Sequence, residues 1–391
     1  MSQRDYELPP ELNLFVQSVR DFMKREVLPV DEALDSDAIL FPKDEVERLQ
    51  AMTKELELFN PGTPVEYGGP GLDFLSLTLF QEEIAKCRQG LYNPGGGAFG
   101  YGVNPILYAG TEEQKERYLL PCLRGEKKGC FAITEPTGGS DPARAIRSRA
   151  VEVDGGWRIN GSKLWITHAG TADFVTVFIR TDDGPVGTRG EITCFIVDTG
   201  TEGYEIGPTI PVIRPEHPYE IYFHDCFVAD NQVLGERGGG FDLLKSLLTQ
   251  NRIPYAAQCI GVAQVALDMA VEYSQQRETF GKPLAARQAI QWMIADSASE
   301  LHAARLVTYN AAKVKAAGKP FHIESSIAKV MATETAERVL DRSIQIHGGM
   351  GLAKELPLER WYREMRTRRI GEGPSEVHRM VIARDLLGAH R

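Results

Sequence analysis

The sequence has no long apolar run and no excess of basic residues. None of its 391 residues lies in an uninterrupted apolar stretch of about 18, the length at which a membrane-spanning helix is predicted. The formal net charge is −10, whereas a protein whose main partner is nucleic acid needs a basic surface. We therefore expect neither a membrane nor a nucleic acid among its partners.

The six cysteines follow no metal-binding or disulfide pattern. No CxxC pair occurs, and no cysteine has the spacing to histidine that zinc sites use. The first residues, MSQRDYELPPE, lack the basic start and the apolar core of a signal peptide. These absences predict no metal site and a reduced protein in the cytoplasm.

Two common phosphate-binding motifs are missing as well. The chain has no GxxxxGK[ST] sequence, and no GxGxxG sequence lies between a strand-like and a helix-like segment. Neither a P-loop domain nor a dinucleotide-binding domain of the Rossmann type is therefore predicted.

Hydrophobic periodicity divides the chain into three zones. Apolar residues recur three and four apart from Leu12 to Val27, which predicts an amphipathic helix that Pro29 ends. A β-rich texture follows, with runs such as DFVTVFIRTD and with turn signals at Asp154-Gly155-Gly156 and Asn160-Gly161. Long helical stretches then return, and such helices pack as antiparallel bundles. The predicted fold is α+β, with an N-terminal helical domain (1–127), a middle β-barrel-like or β-sandwich domain (128–238) and a C-terminal four-helix bundle (239–391).

Several short segments carry residues that suit a flat, charged ligand. In FAITEPTGGSDPAR (131–144) a strand leads into a glycine-rich loop that exposes backbone N–H groups. In KLWITHAG (163–170), Trp165 and Thr167 alternate on one predicted strand face, where they can wall a heterocycle and bond to its edge. Arg277 and Phe280, in RETFGKPLAARQ, offer a phosphate fork and a stacking face. Considered singly, these segments are explained as well by a loop without a ligand, a core Trp, or a turn between helices.

One carboxylate, Glu372, lies between two glycines in RRIGEGPSEVHR (368–379), where two helical sequences meet. Gly371 and Gly373 have no Cβ atom, so another molecule can approach the backbone closely. Pro374 suits the first turn of the next helix. An isolated sequence of this kind is most often a polar connector. Other segments of the chain must therefore decide whether Glu372 has a function.

FAITEPTGGSDP, KLWITHAG, RETFGKPL, QIHGGMGL and IGEGPSEVHR resemble, in this order, segments of the acyl-CoA dehydrogenase family. The resemblance covers essentially the whole chain, including its length and its order of helical and β zones. It implies an FAD cofactor, an acyl-CoA substrate, an electron-transfer flavoprotein as electron acceptor, and a homotetramer or dimer.

The resemblance also implies a role for individual residues. The backbone of the FAIT strand would lie against the isoalloxazine edge, Trp165 on the flavin ring, and the Thr167 hydroxyl near N5. Arg277 and Phe280 would contact the pyrophosphate and the adenosine across a subunit boundary. The implied cofactor contacts are Phe131, Ile133, Thr134, Trp165, Thr167, Arg277, Phe280, Gln288, Gln345, Gly348, Gly349 and Pro374, and the implied substrate contacts are Ser140, Arg252, Gly371 and Gly373.

Glu372 matches the general base of the family, and the chemistry needs such a group. The α proton of a thioester is weakly acidic, so its removal requires a base that approaches closely and a stabilised enolate charge. A water-poor pocket should raise the pKa of Glu372 towards a working pH. The implied product is a trans-2-enoyl-CoA.

The sequence departs from the family pattern near this base. Gly371 stands where many members have Tyr, and Pro374, which offers neither a hydroxyl nor an N–H, stands where many have Thr. Gly371 and the PGGG at 94–97 predict a roomier acyl pocket and hence a branched, cyclic or otherwise bulky acyl group. Asn251 lies where some members carry their base, and we interpret the rival carboxylate Glu135 as structural.

Two other functions remain open from the sequence. One is an oxidase-like flavoenzyme that returns electrons to oxygen. The other is a flavin-binding protein that keeps the fold without turnover.

Overall fold

The computed structural model describes residues 8–91, 94–185 and 187–388. By packing, the chain divides into two compact units, one mainly helical and one built around a sheet. The helical unit comprises Met1–Phe99 and Thr249–Arg391, and the sheet unit comprises Gly100–Leu248. The first and last segments thus belong to one unit, and the division into three domains at 127/128 and 238/239 stays a prediction.

The first helix of the helical unit forms where the apolar periodicity predicts it, with Val16, Val19 and Phe22 buried. It does not end at Pro29. The chain continues through a π-helical turn, Met23–Val27, and Pro29 lies in the first turn of the next short helix, which follows without a break. The helices of this segment are α1 (Pro10–Phe22), α2 (Leu28–Glu32), α3 (Lys43–Glu55) and α4 (Phe74–Ile84).

The C-terminal part of this unit is a bundle of three long and two shorter helices in the described residues. Small and branched side chains face one another between the long helices, with Ala263, Leu301, Ala332 and Val339 almost fully buried. This packing confirms the predicted helical bundle. The helices are α8 (Gly240–Gln276, in this unit from Thr249 on), α9 (Gln288–Ala316), α10 (His322–His347), α11 (Leu358–Arg368) and α12 (Ser375–Leu386).

The centre of the sheet unit is one mixed sheet, which agrees with the predicted β zone. Its strands follow the order β6-β7-β3-β2-β4-β5-β8, and β1 pairs in parallel with β4. The strands are β1 (Gly129–Ala132), β2 (Arg149–Val153), β3 (Gly156–Ile166), β4 (Phe174–Arg180), β5 (Ile192–Asp198), β6 (Tyr204–Thr209), β7 (Tyr219–Ala229) and β8 (Val233–Leu234), and the short helices are α5 (Glu112–Gln114), α6 (Leu120–Arg124) and α7 (Pro142–Ala145).

One of the two predicted turns in this zone is wrong. Asp154 and Gly155 do connect β2 to β3, but Asn160-Gly161 lies inside β3. Gly161 has φ +140° and sits at a shift in register against β7, and a Cβ atom there would lie 2.3 Å from the Ser148 hydroxyl. The glycine is needed for a bulge and a close approach rather than for a hairpin.

The strands β9 (Glu278–Thr279) and β10 (Lys282–Pro283) form a small hairpin in the helical unit. Its two turn residues, Phe280 (φ +48°) and Gly281 (φ +71°), are both left-handed, as a tight two-residue hairpin turn requires. Among the described helices, none has the length and apolar composition to cross a bilayer. Within the same residues, no cluster of three His, Cys, Asp or Glu side chains could hold a metal ion.

Candidate active site

Glu372 lies in the hinge between α11 and α12, in a strained backbone conformation. Its φ is +56°, in the left-handed region that a residue with a Cβ atom adopts only when its surroundings enforce it. The residue is half-buried, but its Oε2 is fully buried and accepts no hydrogen bond from any residue that the structure describes. A buried carboxylate oxygen without a donor marks a place where a ligand or its proton belongs.

The electrostatic surroundings of Glu372 fit a base that works near neutral pH. Burial raises its pKa from 4.5 to about 7, and the positive charges of Arg252, Arg368 and Lys329 limit the rise. These charges come from three different helices, α8, α11 and α10. The direction of the pKa change agrees with the sequence-based expectation.

Arg252 and Glu372 lie close enough for their charges to interact. Its Nε is buried and has no hydrogen-bond partner in the described part of the chain. Burial lowers its pKa, and the charge of Glu372 opposes that change. An incompletely bonded guanidinium beside the proposed base can bind an anionic or carbonyl oxygen of a substrate.

Two basic residues that the sequence reasoning missed hold the hinge. Lys329, on α10, donates from Nζ to the carbonyl oxygens of Gly373 (2.7 Å) and Arg369 (3.3 Å). His378, on α12, has Nε2 3.2 Å from the carbonyl oxygen of Glu372. A signal for Lys329 was present, because it interrupts the small and apolar sequence SSIAKVMA at a position that the helical period buries.

The space that Gly371 was expected to open is occupied. A Cβ atom on Gly371 would lie 2.7 Å from the hydroxyl oxygen of Tyr255, on α8. The Tyr255 ring in turn packs against the Arg368 guanidinium, 4.1 Å from the ring centroid. At the second glycine cluster, a Cβ on Gly95 would lie 2.4 Å from the Phe41 ring. Gly371 and Gly95 thus each lie against a neighbouring aromatic side chain, and the bulky acyl group stays a prediction.

The predicted contacts to the adenosine end are exposed. Phe280 is 97% exposed on the β9-β10 turn, and its backbone conformation is left-handed. Arg277 and Gln288 are exposed on either side of this turn, and Arg287 anchors it by donating to the Thr279 carbonyl oxygen at 2.6 Å. An aromatic ring held outward on a rigid turn suits contact with a ligand or another subunit.

The end of α10 presents a second exposed group. Gln345, Gly348 and Gly349 are exposed, and a Cβ atom on either glycine would meet no described atom within 4 Å. Beside them, His347 is buried, its Nδ1 lies 2.7 Å from the Ser343 carbonyl oxygen, and its ring stacks on Tyr273. These contacts hold His347 within the protein, whereas the two glycines are open to a partner molecule.

In the sheet unit, Trp165 is not a core residue. Its side chain is 50% exposed, its φ is +65°, and it lies in the irregular end of β3. The regular alternation predicted for Trp165 and Thr167 is therefore wrong, because β3 shifts register after Lys163 and ends at Ile166. Thr167 is half-buried, and its hydroxyl accepts from Arg214 at 3.2 Å.

The other predicted residues of the sheet unit lie at or near the start of the glycine-rich loop. Phe131 is in β1, Ile133 and Thr134 follow that strand, and the Thr134 carbonyl oxygen accepts from the Leu164 N–H at 2.8 Å. Ser140 is exposed in the loop. The FAIT segment and the Trp165 segment are thus adjacent, as the resemblance requires.

Glu135 is fully engaged within the protein. Its carboxylate pairs with the buried Lys163 at 2.7 Å and accepts from the N–H groups of Arg147 (2.6 Å) and Ser148 (3.1 Å). Lys163 also donates to the Phe178 carbonyl oxygen at 2.6 Å. These contacts support the structural interpretation of this rival carboxylate.

The residues present fit a large aromatic cofactor. Among the residues that the structure describes, seven non-glycine residues have a positive φ, and three of them, Trp165, Phe280 and Glu372, are predicted site residues. Two of these are exposed aromatic residues, and the third carries the buried carboxylate oxygen without a donor. Strained backbone at such positions is typical of ligand sites.

Comparison with known proteins identifies the class. The N-terminal domain of acyl-CoA dehydrogenases matches residues 9–126, the middle domain matches residues 130–226, and the C-terminal domain matches residues 238–387. The chain belongs to the acyl-CoA dehydrogenase family. It is an FAD-dependent oxidoreductase that acts on CH–CH donors.

Similar proteins include enzymes with different named substrates. The mitochondrial short-chain specific acyl-CoA dehydrogenase of Homo sapiens is 39% identical over 389 residues, which cover 98% of this chain and 92% of that protein. The 3-(aryl)acrylate reductase of Clostridium sporogenes is 39% identical over 378 residues, covering 94% and 96%. The structure of butyryl-CoA dehydrogenase from Megasphaera elsdenii has a TM-score of 0.85 and 35% identity, covering 98% and 100%.

Proposed function

We propose that the protein oxidises an acyl-CoA thioester to the trans-2-enoyl-CoA and that Glu372 removes the α proton. The observation that supports this most is the buried Glu372 Oε2, which has no donor in the described residues and lies on a strained hinge. When bound, FAD supplies N5 as the acceptor of the hydride that leaves the β carbon. The protein's own contribution is to bind the thioester, exclude water and remove one proton.

The protonation state of Glu372 suits proton transfer in this reaction. With a pKa of about 7, the carboxylate is substantially ionised at neutral pH and is still basic enough to take a proton from carbon. Arg252 and Lys329 keep the pKa from rising further. The resemblance to the acyl-CoA dehydrogenase family implies that the backbone N–H of the same glutamate binds the thioester oxygen. This contact would stabilise the enolate charge.

The acyl group that we propose is compact near the reacting carbons. Tyr255 occupies the space beside Gly371, next to the proposed base. The relatives named for short-chain and butyryl substrates agree with this size, whereas the relative named for an aryl substrate keeps a flat, bulky group in consideration. Rates of flavin bleaching with butyryl-, isovaleryl-, octanoyl- and 3-phenylpropanoyl-CoA would rank these possibilities, and a preference for octanoyl-CoA would reject the compact pocket.

The acceptor that we propose is an electron-transfer flavoprotein. The alternative is oxygen, as in an oxidase. Substrate should bleach the flavin under anaerobic conditions, and the colour should return slowly in air and rapidly with electron-transfer flavoprotein. Rapid recolouring in air would favour the oxidase, and no bleaching with any acyl-CoA would favour a non-catalytic flavoprotein. A homotetrameric or dimeric assembly in the cytoplasm also stays a proposal.

The Glu372→Gln variant tests the base directly. It keeps the size of the side chain and removes its basicity, so FAD and acyl-CoA should still bind while turnover falls by about 10²-fold or more. Difference spectra on titration with acyl-CoA measure binding separately from turnover. Activity close to that of the wild type would remove Glu372 as the base.

A further inference from the structure

The left-handed conformation of Glu372 needs something to hold it. A residue with a Cβ atom is strained in such a conformation, so neighbouring contacts must over-determine it. Glycines on both sides make the hinge itself compliant. The hinge has one backbone hydrogen bond of its own across Glu372, from the Ser375 N–H to the Arg369 carbonyl oxygen at 3.2 Å, and side chains outside the hinge sequence add further anchors.

Lys329 is the first of these anchors. It is fully buried on α10, and its ammonium group donates to the carbonyl oxygens of Gly373 and Arg369, at 2.7 and 3.3 Å. One side chain thus bonds the backbone on both sides of Glu372. A buried ammonium without carboxylate pairing is unusual, and here carbonyl oxygens satisfy it.

His378 is the second anchor. It is fully buried on α12, and its Nε2 lies 3.2 Å from the Glu372 carbonyl oxygen. Because a carbonyl oxygen only accepts, Nε2 carries the proton in this contact. Burial lowers the pKa of His378 to about 3, so the ring stays neutral and its role as donor does not change with pH in the working range.

We propose that Lys329 and His378 are positioning residues whose hydrogen bonds to the Gly373 and Glu372 carbonyl oxygens hold Glu372 in the left-handed conformation from which its carboxylate reaches the substrate α carbon. The inference rests on the proposed function, since it assigns a purpose to the anchoring of that base. It predicts that a change in either anchor displaces the carboxylate without removing it. A displacement of about 1 Å is enough to lower a rate by about 10²-fold.

Lys329 also contributes a charge, which gives the proposal a specific signature. The charged groups that face Glu372 are Lys329 from α10, Arg252 from α8 and Arg368 from α11, with the neutral His378 from α12. Around Lys329 itself lie Cys259, Glu334, Arg252 and Glu372. Removing the Lys329 charge should therefore raise the pKa of Glu372, and the acidic limb of the rate profile should move to higher pH.

The experiment compares Lys329→Met with Lys329→Arg, and His378→Phe with His378→Asn. Met and Phe remove the donor, whereas Arg and Asn keep a donor. The matched control is Lys315→Met. Burial lowers the pKa of Lys315, on α9, to about 8, as it does that of Lys329, but Lys315 donates to Gln250 rather than to the hinge. Each variant is purified with FAD, and its fold is checked by circular dichroism and thermal unfolding.

We expect Lys329→Met and His378→Phe to lower kcat by about 10- to 100-fold, with the KM for acyl-CoA changed less than about threefold. Lys329→Met should also move the acidic limb upward, whereas His378→Phe should not. Lys329→Arg and His378→Asn should recover part of the rate, and Lys315→Met should stay within about twofold of the wild type. Folded Lys329→Met with an unchanged kcat and an unchanged acidic limb would overturn the proposal.

A second readout does not depend on turnover. The Tm difference between Glu372→Gln and its parent, measured against pH without substrate, reports the titration of Glu372, and its midpoint should move upward in the Lys329→Met background. If Lys329→Met does not fold, the pair His378→Phe and His378→Asn decides through kcat alone. Full activity of Glu372→Gln would reject the proposed base, whereas inactive Glu372→Gln with normal anchor variants would reject only the anchoring.

Discussion

At the scale of single residues, the Glu372 carboxyl group is buried and is also close to three positive charges. Burial alone disfavours the charge of Glu372, whereas Arg252, Arg368 and Lys329 favour it. The result is a carboxyl group that titrates near neutrality. The same residue therefore affects both the pH dependence of activity and the pH dependence of stability.

Glu372→Gln should stabilise the protein more at high pH than at low pH. Below about pH 4.5 the carboxyl group is protonated in both the folded and the unfolded chain, and between 4.5 and about 7 only the unfolded chain ionises fully. The contribution of Glu372 to stability is therefore present below pH 4.5 and is lost as the pH rises through about 7. Thermal unfolding of both proteins from pH 5 to 8 checks this, and a Tm difference that does not change with pH would contradict it.

Gly371→Ala should interfere with Tyr255. The new methyl group would lie 2.7 Å from the phenol oxygen, closer than atoms tolerate, so the ring or the hinge must move. We expect kcat/KM for butyryl-CoA to fall about tenfold, which corresponds to about 1.4 kcal/mol.

Tyr255→Phe provides the control for this change, because it removes the oxygen and keeps the ring. In the Tyr255→Phe background, the same Gly371→Ala change should have a smaller effect on kcat/KM. Equal effects in the two backgrounds would show that the phenol oxygen does not limit this space.

At the scale of secondary-structure elements, the buried pair of Glu135 and Lys163 links β3 to the segment that follows β1. Both side chains are almost fully buried, and the carboxylate also accepts from the backbone before β2. Such a pair stabilises a particular arrangement of strands, and removal of one partner leaves an uncompensated charge.

Glu135→Gln should therefore destabilise the protein by about 3 to 5 kcal/mol without removing catalysis. Urea unfolding measures the free energy, and kcat per bound flavin measures the chemistry. The double variant Glu135→Gln/Lys163→Met should recover part of the lost stability because it removes the unpaired ammonium. A normally stable Glu135→Gln protein without turnover would instead make Glu135 a candidate base.

Comparison of individual elements shows which features a sequence pattern can predict. Helix α1 and the β2-β3 turn followed from local spacing and turn chemistry alone. Asn160-Gly161 has equally good turn chemistry but lies inside β3, because pairing with β7 requires a bulge there. Trp165 likewise lies on no regular strand face, since the same pairing shifts register before it. Pairing partners distant in sequence decide these cases.

At the scale of the whole molecule, Phe280 is an aromatic residue that packing within one chain leaves exposed. Phe280 is 97% exposed, and the Arg287 guanidinium lies 5.8 Å from its ring centroid, so the side chain adds little to the packing of its own unit. Family resemblance assigns it to a cofactor contact across a subunit boundary. If that proposed contact is made, flavin retention and assembly depend on the same side chain.

Phe280→Ala should weaken FAD binding and leave folding intact. We expect a lower ratio of bound flavin to protein after dialysis, with a circular dichroism spectrum like that of the wild type. Light scattering during chromatography would show whether the oligomer dissociates at the same time. Trp292→Ala is a matched control, because Trp292 is also an exposed aromatic residue, at 60%, but has no predicted cofactor role. Equal flavin loss in both variants would contradict a specific role for Phe280.

The amino-acid sequence by itself determined the order of helical and β zones and the position of Glu372 between two glycines, because both depend on neighbours along the chain. Only the tertiary structure decided that Glu372 titrates near pH 7, that Lys329 and His378 anchor its backbone, and that Tyr255 fills the space beside Gly371. Lys329 lies 44 positions before Gly373 in the sequence. Burial and hydrogen bonding between such distant residues exist only once the helices pack, so no local pattern encodes them.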